Sequence, residues 1–166
     1  LRSFVRYAEA NPAVGMIGPR LVGPDGGFQV SYRRKPTFRA LLHRTMLFRW
    51  TGGFRRAYYE HRRSSVAPTG VKPVEGLMGP AVFLPRPAFE SAGRWEETYR
   101  FGGEDLDLST QVGKRHPVVF FGDVDVRHAG RVSSRVNVGY VAGNVAIGYA
   151  TYLRRAGVGS VRMAAY

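Results

Sequence analysis

The chain is 166 residues long, with 44% hydrophobic and 13% aromatic residues and no cysteine. That is one domain with enough apolar material for a core; it excludes a disordered tail, disulfides and thiolate metal sites, and it suits a reducing cytoplasm. The net charge of +13 calls for an anionic partner (nucleic acid, phospholipid surface or phosphorylated substrate) unless it reflects an arginine-rich proteome. No signal peptide is recognisable, and no run approaches the roughly 20 apolar residues of a membrane span.

Leu1 to Ala10 carries Leu1, Phe4, Val5 and Ala8 at helical spacing. A helix already under way at the first residue predicts that the chain is cut from a larger domain. Asn11-Pro12 breaks the pattern, and Val14 to Val22 reads as a short buried strand. Pro24-Asp25-Gly26-Gly27 is a turn signal before a second strand, Phe28 to Tyr32, so a hairpin is expected. From Pro36 a helix presents Phe38, Leu41, Leu42, Thr45/Met46 and Trp50 on one side, and Gly52-Gly53 is expected to end it. Phe54 to Gly70 reads as a basic loop or short helix punctuated by Ser64, Ser65, Pro68 and Gly70.

Val71 to Leu84 reads as extended chain whose buried part is Ala81 to Leu84. Pro87 suits the first turn of a short helix, Ala88 to Ala92, stopped by Gly93. A second helix is expected from Glu104 through Lys114, with Lys114 and Arg115 favourable at its C-terminal end. His116 to Val126 is the clearest strand. Asn137 to Arg155 forms a glycine-diluted amphipathic helix with a basic end. No internal repeat or low-complexity run is present, and alternating strands and helices predict an α/β or α+β domain.

Charge is unevenly distributed. Arg33, Arg34, Lys35, Arg39, Arg44, Arg49, Arg55, Arg56, Arg62 and Arg63 face a single acid, Glu60, between Ser31 and Ser65. Phe38, Phe48, Trp50, Phe54, Tyr58 and Tyr59 are interleaved with them. Such a stretch can stack on bases, lie at a lipid headgroup boundary, or be a solvated face. No helix-turn-helix, zinc-finger, RRM or KH signature accompanies it. Acids gather instead at Glu96, Glu97, Glu104, Asp105 and Asp107.

In Gly102-Gly103-Glu104-Asp105-Leu106-Asp107 two glycines allow a sharp turn, and acids follow at a helix start. Free N–H groups and the helix dipole stabilise negative charge there, so the acids are either ordinary first-turn residues or a general base in a cleft. His128, ending a strand before Ala129-Gly130, is a loop histidine or a contact to metal or phosphate. His43 and His61 read as solvated surface and His116 as structural. P-loop, GxGxxG, G-x-S-x-G and HExxH patterns are absent; Gly18-Pro19 and Gly79-Pro80 read as turns.

The order of these signals is more specific than any one of them. Val74 to Arg86, Ala88 to Glu97, Phe101 to Leu108 and Val118 to His128 together resemble the C-terminal half of family 2 glycosyltransferases. The rhamnosyltransferase-like members that build bacterial cell-surface polysaccharide are the nearest likeness. Gly15 to Leu21, Asp25-Gly26 and Ser31 to Thr37 resemble the family's upstream segment, so the likeness runs from about Leu1 to Arg135. Departures occur at Trp95-Glu96-Glu97, where an aspartate is usual, at Leu108 to Gln111, which lacks the usual arginine, and at Gly93-Arg94 in place of paired glycines.

The resemblance implies an α/β fold: the C-terminal part of a GT-A mixed sheet with flanking helices. Residues 1–135 would be the acceptor-side part and residues 136–166 a helical extension. It implies an inverting transfer of a sugar from a nucleoside-diphosphate donor to a lipid-linked or polysaccharide acceptor. Asp105 would be the base that deprotonates the acceptor hydroxyl, with Glu104 its partner, and Gly76, Met78, Gly79 and Trp95 would form the acceptor site. His128 would help hold a divalent metal (Mg or Mn) or the donor diphosphate; the other metal ligands, including a D-x-D motif, are missing from this chain. Asp123-Val124-Asp125 has those letters in the wrong place, and on this reading the chain alone is inactive. The basic aromatic stretch and the last helix would contact the inner face of the plasma membrane from the cytoplasm. The competing reading is a non-catalytic basic module binding nucleic acid or membrane.

Overall fold

The computed structural model describes residues 1–43, 48–62, 69–130 and 136–157. It is a mixed α/β arrangement of a four-stranded sheet, a two-stranded sheet and flanking helices. Helix α1 (Arg2–Ala10) leads into β1 (Met16–Val22), which turns back antiparallel into β2 (Phe28–Gln29). Strand β6 (Val118–Arg127) lies parallel to β1, and β4 (Val71–Pro73) pairs antiparallel with β6. The sheet order is therefore β2-β1-β6-β4.

Gly18-Pro19 is not the expected turn. Both residues lie inside β1, a central strand, where the proline has no N–H to give the ladder. The register slips between Pro19 and Arg20, and this bulge is where a central strand tolerates proline.

The expected second strand is divided. β2 ends at Gln29, and Tyr32–Arg33 forms β3, which pairs with β5 (Gly76–Leu77) in a separate sheet. Ser31 sits at the crossing, buried: its hydroxyl accepts from the Leu21 N–H at 2.8 Å and donates to the Gln29 carbonyl at 2.8 Å. Backbone groups that lose their ladder partners are satisfied there by one side chain.

The long helix expected from Pro36 to Trp50 is observed only at its start, as α2 (Phe38–Leu42), and a separate helix, α3 (Gly52–Arg62), begins beyond its expected end. Gly52-Gly53 begins a helix rather than ending one. Thr51 turns the chain by donating from its hydroxyl to the Phe48 carbonyl at 2.9 Å, and its own carbonyl accepts from Arg55. Glycine carries no side chain that opposes a first helical turn, so the pair does not by itself fix a boundary. Thr45/Met46 of the expected helix, residues 63–68 of the basic stretch, residue 135 at the expected domain boundary and residues 158–166 lie outside the described residues.

Helices α4 (Arg86–Ser91), with a proline in its first turn, and α5 (Glu104–Val112) fall close to their expected spans, as does α6 (Val138–Arg155). α5 is the hub. Leu108 and Val112 pack with Met16, Leu77, Val118 and Phe120 against the sheet, while Leu106 packs with Tyr149, Tyr152 and Leu153 of α6. On the opposite side of the sheet α1 seats Phe4 with Val14, Ile17 and Val119. Each such fully buried apolar side chain contributes about 1.5–3 kcal/mol relative to exposure. No described helix is long and apolar enough to cross a membrane.

Candidate functional site

The start of α5 is shaped by two consecutive glycines at positive φ, Gly102 at 78° and Gly103 at 98°. Side chains other than glycine rarely adopt this left-handed backbone, so the turn that aims the acidic pair depends on them. A Cβ on Gly103 would also press on the backbone of Gly148, where α6 crosses. The helix then opens with Glu104, Asp105 and Asp107 in its first turn, where unpaired N–H groups favour negative charge.

Glu104 and Asp105 border a cavity of about 680 Å3, within the size range of small-molecule sites. Its floor is the Met78-Gly79-Pro80 segment after β5 and its polar wall is Glu104 and Asp105. Trp95 stands at the mouth, 39% exposed, with Tyr58 of α3 and Tyr149 of α6 also on the lining.

The two acids have different surroundings. Asp105 is buried, and its Oδ1 receives Arg33 Nη2 at 2.5 Å and the Leu106 N–H at 2.7 Å. Its Oδ2 accepts from the Gly79 N–H at 3.2 Å, tying the cavity floor to α5. Arg33 in turn donates to the Tyr149 hydroxyl at 3.3 Å, joining β3, α5 and α6 through one guanidinium. The pair is close to fully desolvated, with side-chain exposures of 13% for Arg33 and 8% for Asp105. Glu104 has no ion-pair partner among the described residues, and its Oε2 is sealed from solvent without a hydrogen bond. Burial, followed by the neighbouring Asp105 charge, pushes its carboxyl above the usual glutamate range.

A second polar group closes the far side. Arg155, in the last turn of α6, donates to Asp107 Oδ2 at 2.8 Å and to Glu96 Oε2 at 2.6 Å. It therefore holds α6 both to α5 and to the segment leading from Trp95 to the paired glycines. Hydrogen bonds to Thr98, with help from Arg155 and Arg154, keep the Glu96 carboxyl below the usual range. Burial pushes the Tyr99 hydroxyl upward.

Of the residues expected at a site, Glu104, Asp105, Met78, Gly79 and Trp95 come together on this cavity. Gly76 does not line it: it is buried in β5 beneath, against Leu106. His128 is also absent from the lining. It follows β6 beside the hairpin, where its Nδ1 meets Gln29 Oε1 at 2.9 Å and its N–H donates to the Val22 carbonyl. Among the described residues no three His, Asp or Glu side chains converge as a metal site. His128 offers one imidazole, and these residues alone do not hold a divalent ion. Asp123 accepts from the Gly70 N–H and Asp125 pairs with Arg20, so both carboxylates of that D-x-D triplet are engaged in structure.

His116, expected to be structural, meets the Ala13 carbonyl at 3.2 Å and Ser91 Oγ at 3.4 Å. His43 is not simply solvated: its ring stacks on Tyr58 at 4.6 Å and steadies that side of the cavity. The side chain of His61 lies outside the described residues. Arg33 and Tyr149 are the site residues that sequence reasoning missed. Arg33 was one of a run of cations, and only the β3–β5 pairing, invisible in a two-residue strand, brings it under Asp105.

An acid-walled, aromatic-rimmed cavity at a helix start, in a mixed α/β chain, is an arrangement suited to binding a hydroxyl-bearing ligand beside a proton acceptor. Comparison with known proteins relates the chain to glycosyltransferases. It is 30% identical over 104 residues to N-acetylglucosaminyl-diphospho-decaprenol L-rhamnosyltransferase of Mycobacterium tuberculosis, in each of two strains. The matched segment covers 62% of this chain and 33% of those relatives, so the chain spans about a third of their length. No protein-family model matches the chain.

Proposed function

We propose that this chain is the acceptor-side part of an inverting glycosyltransferase of family 2 with a GT-A fold. It takes a lipid-linked or cell-surface saccharide acceptor into the cavity between α3, α5 and α6. The observation that carries the reading is the Glu104–Asp105 pair on the wall of that cavity, in a chain similar to an enzyme named for a decaprenol-linked substrate. A carboxylate beside the acceptor hydroxyl raises its nucleophilicity, and aromatic faces at Trp95 and Tyr58 suit the apolar face of a sugar ring. The donor is a nucleoside-diphosphate sugar bound mainly by residues outside this chain. A divalent metal accompanying it takes its other ligands from there as well, with His128 as this chain's single contribution.

The surface beside the cavity supports a lipid-linked acceptor. Trp50 is 86% and Tyr59 60% exposed, and Arg55 and Arg56 are exposed on the same helix as the cavity residue Tyr58. Aromatic rings next to arginines suit the headgroup layer of an anionic membrane, as expected for peripheral contact with the inner leaflet.

The chain contains only two tryptophans, so Trp50→Phe leaves Trp95 as a reporter on the cavity. Titrating this variant with a polyisoprenyl-diphospho-N-acetylglucosamine should quench or shift Trp95 emission saturably. No change at any concentration, together with steeply salt-dependent binding of DNA, would replace the transferase reading with a basic nucleic-acid-binding module.

A further inference from the structure

We propose that Arg33 and Tyr149 are positioning residues for the transfer step. The series Tyr149–Arg33–Asp105 orients the carboxylate that takes the acceptor proton, and through it α6 becomes part of the catalytic centre. This rests on the transferase reading above, with Asp105 as the base that the resemblance implies, and adds how the chain holds that base.

The three side chains come from elements far apart in sequence. The pairing of Arg33 with Gly76 sets β3 beside α5. From there Nη2 donates to Asp105 Oδ1 at 2.5 Å and Nη1 donates to the Tyr149 hydroxyl at 3.3 Å. A guanidinium is a rigid planar fork, so holding both ends fixes its plane. The Leu106 N–H also donates to Oδ1, whereas Oδ2 accepts only the Gly79 N–H, at 3.2 Å, among the described residues. A carboxylate oxygen accepts about two hydrogen bonds. Oδ1 is therefore filled, and Oδ2 keeps room for a hydroxyl of the acceptor. Arg33 thus selects which oxygen reacts and keeps the carboxylate from turning.

The energetics point the same way. Arg33 and Asp105 are almost wholly desolvated, and Arg33 Nε is sealed from solvent without a hydrogen bond. A buried ion pair with an unmet donor stabilises a fold no better than apolar residues of similar volume. Packing does not call for an arginine here; orienting a carboxylate does. Tyr149 is itself buried, lines the cavity and packs with Leu106, the neighbour of Asp105.

In the step so arranged, the acceptor O–H bond breaks and its proton goes to Asp105 Oδ2. The oxygen's electron pair forms the bond to the anomeric carbon. The carbon–oxygen bond to the diphosphate breaks, and the nucleoside diphosphate leaves with that pair.

The test uses the intact gene product, a panel of nucleoside-diphospho sugars that includes L-rhamnose, and decaprenyl-diphospho-N-acetylglucosamine as acceptor. Arg33→Lys keeps the charge and loses the fork; kcat should fall about 10²-fold at wild-type acceptor KM. Tyr149→Phe frees one end of the fork and should lower kcat about tenfold, again at wild-type KM. Trp95 emission in the Trp50→Phe form should report unchanged acceptor affinity for both. In an Asp105→Asn background neither change should cost further rate, because each acts through the carboxylate already removed. The full loss recurring in that background, or a raised acceptor KM at wild-type kcat, makes Arg33 a direct acceptor contact and overturns the proposal. Tyr149→Phe leaves the ion pair intact, so wild-type kcat in this variant overturns it even where the charge variants fail to fold. Absence of transfer by the wild type with every donor overturns the transferase reading and this assignment with it. Transfer unaffected by Arg33→Lys overturns this assignment alone.

Discussion

At the scale of single residues the site is decided by how each charge is accommodated. Arg33 and Asp105 are buried together, and removing one partner strands the other. Arg33→Met leaves the buried Asp105 carboxylate without its cation, held by the Leu106 and Gly79 N–H groups alone among the described residues, and should cost about 3 kcal/mol in urea denaturation. Glu104 behaves oppositely. Its folded-state carboxyl is raised by burial and by Asp105, so the native state holds its proton more tightly than the unfolded chain does. The stability it contributes is fully present below the unfolded value of about 4.3 and is lost as pH rises through the folded value. Glu104→Gln, which cannot ionise, should therefore gain stability relative to wild type between pH 4 and pH 7 when the two are compared by denaturant unfolding. An unchanged difference across that interval would mean that Glu104 ionises in the folded protein as freely as in the unfolded chain. None of this contrast is visible in the letters Glu104-Asp105, because adjacency in sequence fixes neither burial nor partners.

At the scale of elements, α6 is the informative one. Its glycines look equivalent in sequence and are not. A Cβ on Gly148 would collide with the Gly102 carbonyl, whereas one on Gly143 meets nothing within 4 Å. Gly148→Ala should lower Tm by about 2–8 °C, since overpacking against fixed backbone of up to about 3 kcal/mol exceeds the helix gain of about 1 kcal/mol. Gly143→Ala, on an exposed turn of the same helix, should raise stability by about 0.5–1 kcal/mol. Equal effects from the two would refute the packing of α6 on the paired glycines. Arg155→Met leaves the buried Asp107 side chain with Gln111 as its one hydrogen-bond partner among the described residues. It should cost about 1–3 kcal/mol and speed amide hydrogen exchange from Glu96 to Gly103. The helix itself was legible from its periodicity, as was α1; α4 was legible from Pro87 and Gly93, α5 from its acidic start and basic end, and β6 from its apolar run. Two other segments were not. Pro36 to Trp50 carried one helical pattern although α2 ends at Leu42 and Phe48 to Trp50 are already in a turn, and Phe28 to Tyr32 carried one strand pattern across the Ser31 crossing.

At the scale of the whole molecule, charge and aromatic exposure gather beside the cavity mouth on α3. Neutralising Arg55 and Arg56 to glutamine should weaken co-sedimentation with anionic vesicles, at about 1 kcal/mol per basic residue lost, a roughly 30-fold fall in partitioning for the two. Neutral vesicles should bind weakly in both cases; equal binding of the double variant to anionic vesicles would remove α3 from the membrane surface. The sequence by itself determined the elements with strong hydrophobic periodicity, the basic bias of residues 31–65 and the acidic pair after two glycines, because these depend on local pattern and on residue chemistry. It also located Met78, Gly79, Trp95, Glu104 and Asp105 of the cavity, through the order of motifs along the chain. Only the tertiary structure decided that Arg33 holds Asp105, that Val145 and Tyr149 of α6 complete the wall, and that Gly76 and His128 stand off it. Those facts are contacts between residues tens of positions apart, and they are set by strand pairing and helix packing, which no local pattern encodes.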